Sequence, residues 1–128
     1  MSKRRVVITG MGAVTPISNN ATDTWKGLLA GTSGIRDIEH FDASALATKF
    51  AGTIKDFSIE GVIPPKDAKK MDLFIQYGLV ACAEALKHSG LLESAFDPSR
   101  VGCAMGSGIG GLSTIEHNYS QLQKSGPR

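Results

Sequence analysis

Val101-Gly102-Cys103-Ala104-Met105 runs into Gly106-Ser107-Gly108-Ile109-Gly110-Gly111 and then into Leu112, Ile115, Tyr119 and Leu122. An apolar run, a glycine-rich turn and apolar residues at helical spacing predict strand, turn and helix. The N-terminus repeats the order. Lys3 to Thr9 is β-branched at its middle and predicts a buried strand, with Gly10-Met11-Gly12 as the turn after it. Thr22 and Asp23 are candidate caps for a first helix with Trp25, Leu28 and Leu29 on its apolar face and Gly31 as its stop. Mixed polar residues then read as a long connection to about Ser44, and Thr48 to Ile54 as a short strand. The clearest helix follows Pro64-Pro65, where Met71, Phe74, Ile75, Gly78, Leu79, Cys82 and Leu86 recur every three or four residues until Gly90. Asp97-Pro98 is a loop. Strands alternating with helices predict an α/β fold with a largely parallel sheet.

Composition narrows the function classes. The 128 residues are 41% hydrophobic and 20% charged, which suits one domain with a core and argues against disorder. A net charge of +2 is too small to imply a nucleic-acid or membrane surface. Met1 to Arg5 is basic, but Val6-Val7-Ile8 is too short an apolar run for a signal peptide, and Leu73 to Ala83 falls below the ~18 residues of a membrane span. Cys82 and Cys103 are too far apart in sequence to suggest a disulfide framework or zinc site; they read as buried structural thiols in a reducing compartment.

Gly106-x-Gly108-x-x-Gly111 matches the dinucleotide fingerprint, in which backbone approaches a pyrophosphate at a helix N-terminus. It lies late in the chain, and no acid follows at the roughly 20-residue spacing the fingerprint wants. Gly10-x-Gly12 is better placed, but Thr15 stands where the third glycine belongs. Glycines that allow tight strand–helix packing, or a close approach to the backbone, are the simpler reading. His40, His88 and His117 form no triad or metal spacing; His88 suits the last turn of its helix. Lys66, Lys69 and Lys70 cluster at the predicted start of the long helix, where the macrodipole disfavours each cation by roughly 0.3–1 kcal/mol. Either they serve an acidic partner, or they form a solvated turn moderated by Asp67 and Asp72.

Taken in order, these stretches resemble the N-terminal portion of the elongating β-ketoacyl-[acyl-carrier-protein] synthases of dissociated (type II) fatty-acid synthesis. The resemblance covers essentially all 128 residues. It rests on Arg4-Arg5-Val6-Val7-Ile8-Thr9-Gly10-Met11-Gly12, Gly31-Thr32-Ser33-Gly34-Ile35, His40-Phe41-Asp42, Lys70-Met71-Asp72-Leu73-Phe74-Ile75-Gln76-Tyr77 and Gly106 to Leu112. Ile109 is similar to the synthase II branch, whose synthase I counterpart usually has glycine there.

The resemblance implies a thiolase-like α/β fold, layered α-β-α-β-α, with residues 1–128 covering most of the first half as a truncated N-terminal domain. It implies decarboxylative condensation of an acyl group, held as a cysteine thioester, with malonyl carrier protein. It places the nucleophile in a Thr-Ala-Cys-x-Ser segment just past Arg128 and two catalytic histidines later still, so the chain alone is expected to be inactive. No metal and no cofactor are implied. Ile109 matches the branched residue lining the acyl pocket. Lys66, Lys69, Lys70 and Arg128 match basic positions facing acyl carrier protein. A cytoplasmic homodimer is implied for the parent, with no nucleic-acid or membrane partner. Two alternatives stay open: a non-catalytic subunit like a chain-length factor, and an NAD(P)-binding α/β domain. Gly126-Pro127-Arg128 reads as the end of a fragment, and sheet edges and apolar faces left uncovered predict an aggregation-prone or oligomeric chain.

Overall fold

A computed structural model of the chain describes residues 3–127. Helix α1 spans Ala21–Leu29. Asn20 caps it, its Oδ1 accepting from the Asp23 N–H at 2.7 Å; the expected caps Thr22 and Asp23 instead lie inside the first turn. Gly31, at φ +69°, turns the chain out of the helix as expected. The inward face differs from the one the sequence suggests. Trp25, Leu28 and Leu29 are exposed. The helix instead turns Thr24 and Gly27 inward: Thr24 Oγ1 hydrogen-bonds Thr15 Oγ1 at 3.0 Å, and Gly27 lies against Ile17.

Strands β1, Ile35–Asp37, and β2, Phe50–Gly52, form an antiparallel pair with Arg36 opposite Ala51. β2 falls inside the strand expected over Thr48 to Ile54, whereas β1 lies in a stretch read as connection. Helix α2 is the single turn Pro65–Ala68, and α3 runs Leu73–Ser89, stopped by Gly90 at φ +64°. After 3₁₀ turns at Leu91–Glu93 and Pro98–Arg100, α4 spans Leu112–Ser125 and carries the four predicted apolar residues.

Two expectations fail. The helix after Pro64-Pro65 is not continuous: the chain leaves it after Ala68 and begins again at Leu73, with Asp72 extended at ψ 153°. Nor is there a parallel sheet among the described residues, because Lys3 to Thr9 and Val101 to Met105 join no ladder. A strand exists only where a second strand meets its hydrogen bonds, and β-branched composition cannot supply that partner.

Helix α3 is the spine around which the other segments gather. Backbone at Gly10 and Gly12 lies directly on Ala85 and Ala81, an approach that any Cβ would block. Glu84 accepts the N–H groups of Ala13 (2.9 Å) and Ala21 (2.9 and 3.2 Å), tying the N-terminal loop and the start of α1 to the helix. His88 Nδ1 lies 3.1 Å from the Met11 amide nitrogen. Asn19 reaches across to β2's exit, donating to the carbonyls of Lys55 and Asp56.

Among the described residues, the buried apolar ones are Ala43, Ile63 and Ala68 alone. Val6, Ile8, Trp25, Leu29, Met105 and Leu112 are all more than half exposed. Apolar exposure on that scale marks surface built to be covered. No helix among the described residues is long and apolar enough to cross a membrane.

Candidate functional site

Two of the sequence-derived features adjoin the start of α3, and side chains of that start hold both. The first is the basic turn. Lys66 lies in α2, Lys69 is its C-cap and Lys70 follows. All three are exposed, and none has a carboxylate within ion-pairing distance among the described residues. Their placement overturns the macrodipole reasoning. Lys69 and Lys70 sit at the C-terminal end of a one-turn helix, where the backbone carbonyls favour cations, and not at the N-terminus of α3.

The turn is held from below. Gln76 Nε2 donates to the carbonyls of Ala68 and Met71, each at 3.0 Å, so one amide grips the backbone on either side of Lys69-Lys70. The Met71 N–H bonds back to the Ala68 carbonyl at 3.1 Å. Nothing in the periodicity predicts this role for Gln76. Its one signal in the sequence is a polar residue amid Phe74, Ile75 and Leu79.

The second feature is the glycine-rich loop. Ile109 stands at its tip, 72% exposed. Ser107 Oγ accepts from the Gly110 N–H at 3.1 Å, and Gly110 takes φ +80°, which closes the loop before α4. Asp72 joins the loop to α3: its carboxylate accepts from Thr114 Oγ1 and presses on the Gly111 backbone, where a Cβ would collide with it. Gly110 faces the Phe74 ring. Gly106 and Gly108 face open space, so no packing within the chain explains their lack of a side chain. They leave the backbone free for close approach. Arg128, the fourth expected cation, lies outside the described residues.

The other candidates disperse. His40 stacks edge-on against Phe41 at 4.8 Å, His88 meets the Met11 backbone, and His117 rides on α4. No group of three metal-ligating side chains forms among the described residues. The glycine-rich segment follows no paired strand, and a dinucleotide fold needs a parallel βαβ unit there. Cys82 is half-buried and Cys103 exposed, so neither is the buried core thiol expected of it; the uncovered face of Val101 to Met105 leaves Cys103 in the open. Burial, and then the neighbouring Cys103 thiol, push the Cys82 thiol up.

Known proteins sharpen this picture. The family profile described as "Beta-ketoacyl synthase, N-terminal domain" matches residues 3–128. The chain is 55% identical over its full length to a 3-oxoacyl-[acyl-carrier-protein] synthase 2 of Vibrio harveyi, and 46% identical to that of Coxiella burnetii. It spans 31% of the length of each of these curated relatives. Among solved structures, it is similar to the ishigamide ketosynthase/chain length factor (TM-score 0.73, 26% identity, 98% of this chain and 31% of that one). It is also similar to a type II polyketide ketosynthase complex, bound to a hexaketide and its acyl-carrier protein (TM-score 0.71, 33% identity, 98% of this chain and 33% of that one).

Proposed function

The chain belongs to the β-ketoacyl synthase family, and on that premise we propose that it forms the carrier-protein-docking and acyl-gating part of an elongating synthase of the synthase II type. The thiolase-like fold is shared with ketosynthases of known structure. The chain's own contribution to condensation is recognition. Lys66, Lys69 and Lys70 supply a fixed, unpaired positive face for an acidic acyl carrier protein, steering its approach and setting its orientation. Ile109 stands where the incoming acyl chain has to pass, its flanking glycines letting backbone and chain lie close together. Residues outside the 128 provide the cysteine thioester and the groups that stabilise its oxyanion; the sequence holds no Thr-Ala-Cys-x-Ser segment.

The observation carrying this reading is the Gln76 grip on the Lys69-Lys70 turn, together with Asp72 linking the same helix start to the Ile109 loop. One rigid element therefore presents both the docking charge and the acyl-facing residue. The exposed apolar residues of α1 and α4 are then faces covered by the rest of the synthase and by its second subunit, in a cytoplasmic homodimer.

The test is steady-state kinetics of the complete synthase carrying Lys69→Glu with Lys70→Glu. KM for carrier-protein substrates should rise roughly tenfold with a flatter dependence on salt, while kcat falls less. Unchanged carrier-protein kinetics would refute the docking role. A change in bulk at Ile109 should move the distribution of acyl lengths accepted, leaving the salt dependence alone. A second reading, a non-catalytic partner like a chain-length factor, draws on the 26% likeness to the ishigamide assembly. The relatives at 46–55% identity favour the synthase.

A further inference from the structure

Asp72 opens α3 but spends its side chain elsewhere. An aspartate at that position ordinarily turns back onto the free N–H groups of its own first turn. Here the Asp72 carbonyl accepts from Ile75 N–H at 3.0 Å and Gln76 N–H at 3.3 Å, while the carboxylate makes no capping bond to α3. It crosses instead to the start of α4. That helix begins after Gly111, which has no side chain to cap it, and carries no acid in its first turn. Asp72 supplies the missing negative group from outside, where the helix dipole favours it. Its carboxylate accepts from the hydroxyl of Thr114, in the first turn of α4, and rests on the Gly111 backbone. The same end of α4 is the root of the Ile109 loop. Gly111 is two residues from Ile109, within about 7 Å of chain. Gly110, between them, lies against the Phe74 ring, and its N–H donates to Ser107 Oγ at 3.1 Å. Both residues that follow Ile109 are therefore seated on the start of α3. These contacts lie within the chain and do not depend on which faces the complete synthase covers.

Resting on the gating role proposed for Ile109, we infer that Asp72 and Thr114 are positioning residues that set acyl-length selectivity. Together they clamp the root of the Ile109 loop, and the clamp fixes how readily Ile109 yields to a long acyl chain. A short chain that stops before Ile109 is indifferent to the clamp. A long one displaces the side chain, and with the root held the loop resists that displacement. Loosening the root lowers the cost for long chains alone. Capping of α4 by itself would act differently: its loss would weaken the fold around the site and lower the rates for short and long chains alike. The ratio between acyl lengths therefore separates a clamp from a cap.

The experiment measures kcat/KM of the complete synthase for hexanoyl- and myristoyl-carrier protein side by side. Thr114→Val removes the hydroxyl at nearly constant side-chain volume and leaves α3 intact. It should raise the myristoyl-to-hexanoyl ratio roughly three- to tenfold, the scale of one partly exposed hydrogen bond to a charged acceptor. The salt dependence should not move. Thr114→Ser, which keeps the donor, should restore the original ratio. Asp72→Asn keeps a neutral acceptor and should shift the ratio the same way by less. In an Ile109→Ala background, Thr114→Val should add nothing, because no side chain is left for the clamp to hold in the path. An unchanged ratio in Thr114→Val beside a shifted one in Ile109→Ala would overturn the clamp and leave the gate standing. An equal fall for both substrates would reduce the contact to helix capping and overturn it too, as would shifts that simply multiply in the double variant. An unmoved ratio in Ile109→Ala would remove the gating role itself, and the clamp with it. The docking role is read separately, through carrier-protein KM and salt in Lys69→Glu with Lys70→Glu.

Discussion

Glu84 offers the most direct test of how this chain is held together. Its carboxylate receives two backbone donors from far along the sequence: Ala13 N–H at 2.9 Å, and Ala21 N–H shared between both oxygens at 2.9 and 3.2 Å. A hydrogen bond to a charged acceptor contributes about 1.5–3 kcal/mol net, and the half-buried setting argues for the low end. Glu84→Ala leaves both amides without a partner on α3. At about 1.5 kcal/mol each, local opening at Ala13 and Ala21 becomes roughly tenfold more frequent. Amide hydrogen exchange reads this residue by residue and needs no global unfolding transition. Glu84→Gln keeps one acceptor oxygen, so it should release one of the two amides and spare much of the other. Glu93→Ala, in the exposed 3₁₀ turn, is the control and should change neither. Exchange at Ala13 and Ala21 within a factor of two of the unsubstituted chain in Glu84→Ala would show that these contacts do not anchor the N-terminal loop.

Two other contacts carry further expected outcomes. In Gly12→Ala, the new Cβ would collide with the Ala81 carbonyl and stand 2.8 Å from the Ala85 amide nitrogen, both backbone atoms that cannot swing aside. A loss of about 1–3 kcal/mol is expected in thermal melts, against about 1–2 kcal/mol at most for Gly61→Ala, where only the positive φ of +73° opposes the change. Equal losses would deny the tight contact with α3. Asp97 accepts from the Ser99 hydroxyl at 2.8 Å and its N–H at 3.0 Å, and these bonds, the side-chain one first, hold its carboxyl below the ordinary value. A carboxyl with a lowered folded value stabilises the turn above its unfolded value and loses that contribution as pH falls through the folded one. Ser99→Ala should move the Asp97 carboxyl back up in an NMR titration; an unmoved curve would assign the shift elsewhere.

The parts of this molecule visible in its sequence are those decided within a few residues. The stops at Gly31 and Gly90 and the apolar spacing of α4 were legible because a left-handed turn or a helical stripe is a local property. The expectation of strands at Lys3 to Thr9 and Val101 to Met105 read propensity correctly and partnership wrongly, since pairing is settled by residues distant in sequence. The helix break at Lys69–Asp72 was hidden because the apolar rhythm from Met71 onward runs smoothly past it. At the candidate site, the lysines and Ile109 were found through family resemblance. Gln76, Asp72 and Glu84 were not, because each acts on main chain or side chains that only the fold brings near.

Gln76 grips two carbonyl oxygens, and carbonyls are the same whatever residue bears them. The shape of the basic turn is thus written in one helix side chain, while its charge is written separately at positions 69 and 70. Changes at those two positions can therefore reset the charge the turn presents, as the proposed docking role would require for a different partner, without disturbing the frame that holds it.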